Sequence, residues 1–345
     1  MIENKQSSSK MKIAIDAMGS DFAPVSEIEG VLLAFKEILN KNKVEIVFVG
    51  DESKINACIK NYDMSNTCFS ILHADEVVTM HDDPTQALKT KKNSSIYKGI
   101  ASLRDGTVDA FFSAGNTGAM LTFSTVLLGR IKNVSRPTIG TFFPRIENKP
   151  TLIVDAGANA EVKPQFLYEF AIMGSIYSEL MFGINKPKVG LLNIGEEETK
   201  GTTIVQEAYQ LLKNSKLNFV GNVEGRDLFF DVADVVVCDG FTGNVVLKFA
   251  ESIVPFLKSA VKNYSEKSFG KMLKVGLLAP TLKEILIDLD YQQYGGVPLL
   301  GVNGVVIIGH GKSSALAVKN ALLRAKESIE KEVNSKIEKA LLDLK

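Results

Sequence analysis

The sequence is short of the features that place a protein at a glance. Only three of its 345 residues are cysteine, Cys58, Cys68 and Cys238. They show no C-x-x-C spacing and leave an odd thiol, so neither a disulfide framework nor a zinc site is indicated, and a reducing cytoplasm fits. Net charge is zero, which argues against a nucleic-acid binder that works by neutralising phosphates. No run of about 18 apolar residues occurs to suggest a membrane span. Met1 to Lys10 is polar and unlike a signal peptide, and Met11 directly precedes the first strand-like run. Residues 1–10 therefore read as a disordered tail or a remnant of expression. The dinucleotide fingerprint is missing, since Gly19 stands alone after the first strand, and so are a Walker loop and a G-x-S-x-G elbow. Nucleotide enzymes and serine hydrolases are thereby demoted.

What the chain has is hydrophobic residues, 45% of the total, and a motif that recurs. Val108 to Leu121 reads VDAFFSAGNTGAML, and Ala233 to Val246 reads ADVVVCDGFTGNVV. Asp109 and Asp234 each precede an apolar run that empties into Gly-x-Thr-Gly, at Gly115 to Gly118 and Gly240 to Gly243. Each copy predicts a buried parallel strand, a glycine turn and a helix start, where backbone N–H groups can approach an anion. Apolar runs such as Lys12 to Ala17, Val44 to Val49 and Val189 to Ile194 alternate with helical spacing, as at Pro164 to Phe182. This pattern predicts an α/β fold with a largely parallel, doubly wound sheet whose ligands sit beyond the carboxyl ends of the strands. Five loops expected at that edge join glycine to polar residues: Asp16 to Asp21, Ser113 to Gly118, Asp155 to Asn159, Asn193 to Gly201 and Asp239 to Asn244. Together they suggest an anion-accepting cleft.

Other stretches leave alternatives open. His73 to Ser95 is polar, Pro-interrupted and ends in Lys91-Lys92-Asn93-Ser94-Ser95; it is read as capping with solvated charge or as an anion site. His310 opens the last helix with Lys312, Ser313 and Ser314, as a general base or a phosphate ligand. Cys238 reads as a small buried hydrophobe. From about residue 245 to 290 the spacing predicts a helical arm, bent at Pro255, then a short helical piece and an apolar tip, Val275 to Pro280. From Lys258 to Lys283 the cations Lys258, Lys262, Lys267, Lys271, Lys274 and Lys283 stand against one carboxylate, Glu266. A subunit interface, an anionic membrane surface and an acidic protein partner compete for the arm. Tyr291 to Gly301 reads as turn-rich.

The loops IDAMGSDFAP, KKNSS, SAGNTGA, VDAGAN, VGLLNIGEEETKG, GNVEGRD, VVVCDGFTGNVVLK and YGGVPLLG, in this order, resemble the bacterial phosphate acyltransferases of phospholipid synthesis, the PlsX type. The resemblance runs from Met11 to about Ala325. It implies that inorganic phosphate attacks a fatty acyl thioester on acyl carrier protein, giving acyl phosphate for a membrane acyltransferase. It also implies a three-layer fold like that of phosphotransacetylases, a homodimer, no metal or organic cofactor, no nucleic acid, and a cytoplasmic protein attached peripherally to membranes. On this reading residues 11–330 form one catalytic domain of two lobes with a protruding arm, and 331–345 are the end of the last helix.

Loop position within the resemblance assigns Ser113, Gly115, Asn116, Thr117 and Gly118 to phosphate, with Asn159 and Asn193 as further substrate contacts. Thr242, Gly243 and Asn244 are assigned to the thioester oxygen, an assignment that could be exchanged with the first. Lys163, Lys200 and His310 neutralise charge, and Asp16, Asp155 and Asp239 orient them. The arm lysines are assigned to the carrier, and Leu277 and Leu278 to membrane. The first loop departs from the family, with Ser20 and Phe22 where a second glycine and a histidine are usual, so no base stands at position 22. The rival functions are a phosphotransacetylase using acyl-coenzyme A and a membrane-associated scaffold.

Overall fold

A computed structural model describes residues 10–145, 149–287 and 291–342; residues 1–9 of the expected tail, part of the arm's end at 288–290, and 343–345 lie outside the described residues. In chain order the first elements are β1 (Met11–Asp16), α1 (Val25–Glu37), β2 (Val44–Gly50), α2 (Glu52–Ile59), β3 (Phe69–His73), α3 (Pro84–Thr90), α4 (Ser95–Arg104), β4 (Ala110–Ser113) and α5 (Thr117–Leu127). Then come β5 (Thr138–Phe143), β6 (Thr151–Val154), α6 (Pro164–Phe182), β7 (Lys188–Asn193), α7 (Thr203–Lys213), β8 (Asn218–Glu224), β9 (Val235–Val237), α8 (Gly240–Ser265) and α9 (Phe269–Ile287). The chain closes with β10 (Val297–Leu300), β11 (Val305–Ile308), α10 (Ala315–Glu330) and α11 (Val333–Leu342).

These fall into two compact units, Met1–Pro137 with Tyr294–Lys345, and Thr138–Gln293. In the first unit the strands run β3-β2-β1-β4-β11-β10, parallel except for the antiparallel β10–β11 pair. Successive side chains of a strand point to opposite faces. Accordingly Phe112 joins the cluster of Ile13, Ile15, Val31 and Leu322, while Phe111 lies against Gly99 of α4. Both faces are covered by helices, which is why these strands read as unbroken apolar runs. The second unit repeats the plan with order β5-β6-β9-β7-β8, antiparallel only at β5–β6. Gly174 of α6 packs on Val235 and Val154, while Ile153 and Val236 face the cluster that takes Val246, Leu247 and Ala250 of α8.

The predicted α/β, largely parallel, doubly wound class is the observed one, and four expectations about elements need correction. The polar stretch 73–95 contains a helix, α3, because Asp83 caps it by accepting the Gln86 amide and Pro84 occupies the first turn, where proline is pre-organised. The turn-rich stretch 291–301 contains β10. The apolar tip is not a separate tip, because α9 runs on through Val275 to Pro280. The C-terminal residues are not the end of α10: Glu332 takes a positive φ of 53°, and a distinct helix, α11, buries Val333, Ile337 and Leu341.

Candidate active site

The two copies of the repeated motif begin alike. The Asp109 carboxylate accepts the Lys12 amide at 2.7 Å, and its own N–H donates to the Lys12 carbonyl. Asp234 does the same to Lys188, at 2.8 Å. Each aspartate thus fastens the start of its strand to the parallel neighbour. The copies part after the strand. In the first, Asn116 is the N-cap of α5, its side-chain oxygen accepting the Ala119 amide at 3.0 Å. In the second, Asp239, two positions earlier in the motif, caps α8 by accepting the Thr242 amide at 2.8 Å and the Thr242 hydroxyl at 2.7 Å.

In the first unit β1, β4 and β11 are parallel neighbours, so the loops after Asp16, Ser113 and Ile308 leave one edge. Asp16 is buried; it accepts the Ser113 hydroxyl at 2.7 Å and the Met18 amide at 3.0 Å. Ser113 Oγ in turn accepts the Gly115 amide at 3.0 Å. Burial pushes the Asp16 carboxyl above its ordinary value, against the Ser95 and Ser113 hydroxyls and the Met18 amide, which pull it down. A Cβ on Gly19 would strike the Asp16 carboxylate and the Gly115 nitrogen, so only glycine lets the first loop close on the second. The Asp21 amide donates to the Gly311 carbonyl at 2.8 Å, joining the third loop. His310 Nδ1 accepts the Lys312 amide at 3.2 Å, which places the proton of the neutral ring on Nε2.

These contacts revise the expected roles. Ser113 spends its hydroxyl on Asp16 and Gly115. Asn116 spends its amide group on the Thr79 and Asp82 carbonyls, at 3.0 and 3.3 Å. Both side chains hold the turn. What α5 offers an anion is the first-turn amides of Thr117 and Gly118, which have no acceptor within the helix. Sequence reasoning missed the loop over Asn116, organised by Asp82. That carboxylate takes the Lys91 ammonium at 2.7 Å and the Thr79 amide and hydroxyl. The hydrogen bond from Lys91, with those from Thr79, holds its pKa down at about 2. Lys91 is thereby paired and Ser94 caps α4 by accepting the Tyr97 amide, the capping reading of that cluster. The pair of acids before Pro84 was the available signal.

In the second unit Asp155 is buried and accepts the amides of Ile139, Gly157, Ala158 and Asn159 and the Asn159 side chain. Burial raises its pKa while these donors oppose the rise. Gly240 and Gly243 bring α8 against this loop: a Cβ on Gly240 would lie 2.7 Å from the Asn159 nitrogen, and one on Gly243 would strike the Asp155 carbonyl. Asn244, exposed, lies beside Gly157.

Two of the three residues assigned to a thioester oxygen, Thr242 and Gly243, are therefore committed. Thr242 gives both N–H and O–H to Asp239, and Gly243 donates to the Asp239 carbonyl at 2.9 Å. Asn193 braces its own loop through the Lys200 carbonyl and the Ile194 amide. Lys163 and Lys200 are exposed, and Lys200 pairs only loosely with Glu197, at 3.9 Å. The oxygens of Asp16, Asp155 and Asp239 accept amides and hydroxyls of their own and neighbouring segments, because a carboxylate at a strand end meets unpaired donors there, and these contacts brace the loops. Cys238 is buried, its thiol pushed well up by burial, and inert. A groove of about 1050 Å³ lies at the C-terminal end of α1, lined by Glu29, Lys36, Asn40 and Asp63 among others.

The arm leaves its apolar stripe uncovered. No residue of α8 beyond Gly243 is buried, and Phe249, Phe256, Phe269 and Leu277 are 70% or more exposed. Lys258 and Lys262 on α8, Lys267 in the turn and Lys274 on α9 are exposed, and Lys271 of α9 is half-buried over the Tyr264 ring. Among the described residues no helix is long and apolar enough to cross a membrane.

Comparison with known proteins adds a family. The model described as fatty acid synthesis protein matches residues 11–336. The chain is 46% identical over 328 residues to a phosphate acyltransferase of Dictyoglomus turgidum, covering 95% of this chain and 96% of that one. It is 47% identical over 320 residues to a phosphate acyltransferase of Pelotomaculum thermopropionicum, covering 93% and 92%. A phosphotransacetylase structure from Streptococcus pyogenes matches with a TM-score of 0.61 at 16% identity, over 93% of this chain and 94% of that one. A branched-chain phosphotransacylase from Enterococcus faecalis matches with a TM-score of 0.58 at 14% identity, over 92% and 99%. At those identities the structural likeness gives the fold.

Proposed function

The chain belongs to the fatty acid synthesis protein family of phosphate acyltransferases, and from that premise we propose that it transfers a fatty acyl group from acyl carrier protein to inorganic phosphate. A phosphate oxygen attacks the thioester carbon, the carbonyl oxygen takes up the charge, and the C–S bond breaks. The products are an acyl phosphate and the thiolate of the carrier. Phosphate is substantially dianionic at neutral pH, its second pKa being about 6 to 7 by analogy with phosphoryl groups, so it needs positioning more than activation. The observation that carries the reading is the full-length identity to phosphate acyltransferases, and the turn at Gly115 supplies a chemical place for the anion. The Thr117 and Gly118 amides bind phosphate, with Gly19, Asp16, Ser113 and Asn116 holding the turn in shape. His310 acts as a hydrogen-bond donor through Nε2. In the second unit, Asn244 remains the exposed side chain among the three first assigned to substrate. Lys163 and Lys200 remain charge-neutralising groups for an anionic substrate.

The arm carries the partners. Its lysines suit an acidic carrier protein, and its stripe, with Leu277 and Leu278, suits an anionic membrane surface. The protein works as a homodimer in the cytoplasm, attached peripherally, and its product passes to a membrane acyltransferase. A second reading, transfer from acyl-coenzyme A, has the fold of the phosphotransacetylases in its favour. Thiol release measured with matched acyl-carrier and acyl-coenzyme A substrates separates the two: preference for the carrier supports the proposal, and preference for coenzyme A overturns it. A scaffold would release no thiol from either.

A further inference from the structure

The first loop of the site rests on a buried carboxyl that the reaction above does not use. Glu27, in the first turn of α1, is fully buried. Its Oε2 accepts the Ser26 hydroxyl at 3.0 Å. Ser26 Oγ is 3.1 Å from Ser20 Oγ, and Ser20 Oγ also accepts the Phe22 amide at 3.3 Å. The other carboxyl oxygen, Oε1, is buried with no hydrogen-bond partner. Ser20 follows Gly19, the residue packed on Asp16, Ser113 and Gly115. One continuous set of contacts therefore runs from Glu27 through two hydroxyls to the turn assigned to phosphate.

We propose that Glu27 is a positioning residue for anion binding: protonated, it holds the Ser20 loop through Ser26, and ionised, it sets a negative charge behind the anion's turn. The proposal rests on the assignment of phosphate to that turn. Burial raises the Glu27 pKa to about 7, against the Ser20 and Ser26 hydroxyls, which lower it, and with Asp16 adding to the rise. The change of charge thus falls in the working range. The titratable groups facing Glu27 are Asp16 from β1 and Cys58 from α2, whose thiol is itself raised, by burial first and then by Glu29 and Glu27. From α10, packed along α1, Lys319 is paired with Glu37 at the far end. None of them is a cation that would hold Glu27 ionised at neutral pH.

Phosphate changes charge over the same range, so the probe is sulfate, a dianion throughout. Its inhibition constant against phosphate is measured from pH 5.5 to 8.5 for the wild type, Glu27→Gln and Ser26→Ala. The wild type is expected to lose about tenfold in sulfate affinity across pH 7, the effect of a coupling of one pKa unit. Glu27→Gln, which cannot ionise, keeps a flat profile apart from changes common to both proteins, such as those of histidines. Ser26→Ala removes a donor to the carboxylate and moves the inflection to higher pH. Identical profiles in the wild type and Glu27→Gln overturn the proposal while leaving the phosphate turn intact. Sulfate that fails to compete with phosphate at any pH in any of the three overturns the phosphate turn, and the proposal with it.

Discussion

Gly19 is where one methyl group tests the site. A Cβ there would meet the Asp16 carboxylate and the Gly115 nitrogen, and overpacking of this kind costs about 1–3 kcal/mol. Gly19→Ala is expected to raise the KM for phosphate at least tenfold while lowering the melting temperature only modestly; an unchanged KM would detach the first loop from the anion. Glu27 makes a separate prediction about stability. Its folded pKa of about 7 stands above the ordinary glutamate value of 4.5, so between those values the folded state holds more protons than the unfolded one. The contribution is complete below about pH 4.5 and lost as pH rises through 7, a change of roughly 3 kcal/mol. Glu27→Gln should therefore gain on the wild type in urea unfolding as pH goes from 5 to 8. A constant difference would show that the carboxyl titrates normally. At this scale the sequence tells which residue types stand near the turns but not how they spend their hydrogen bonds. Ser113, Asn116 and Thr242 look like ligands in the motif, yet Thr242 is consumed inside its own loop and Ser113 and Asn116 are spent largely on neighbouring segments. Glu27 was legible only as a carboxylate one turn before Val31 and two before Phe35, on the buried face of α1.

The repeated strand, turn and helix shows how far a sequence echo carries. The strands and the aspartates that fasten them are equivalent, because apolar runs and an acid facing a neighbour's first amide follow directly from residue type. The caps are not, since either Asn116 or an aspartate two places earlier can satisfy a helix start, and only the packing of the glycines on the loop beneath decides. Asp239→Ala removes the acceptor of two Thr242 donors and is expected to cost about 1 kcal/mol, read as a lower denaturation midpoint. Restoration by Asp239→Asn would confirm a capping role, and no change in the alanine variant would refute it. A helix with a clear period, such as α6, was legible to the residue. The short α3 and β10 were not, because the proline in each, with Gly295 and Gly296 before β10, signals a turn as strongly as an element start.

For the whole molecule, the alternation of strands and helices was enough for the α/β class, whereas the assembly of the first unit from two separate stretches of chain was not visible in local pattern. The arm is the part with no internal reason for its sequence: apolar side chains that bury nothing need a surface. Leu277→Glu with Leu278→Glu is expected to release the protein from anionic vesicles in co-sedimentation while leaving turnover of soluble acyl carrier substrate unchanged; retained binding would assign the stripe elsewhere. The account as a whole stands on phosphate being the acyl acceptor. Its most direct measurement is phosphorus NMR of the purified enzyme with acyl-acyl carrier protein, with and without phosphate, alongside assay of free carrier thiol. The account predicts an acyl phosphate signal equal to the thiol released, both requiring phosphate. Thiol released without phosphate, or released with no acyl phosphate formed, would contradict it.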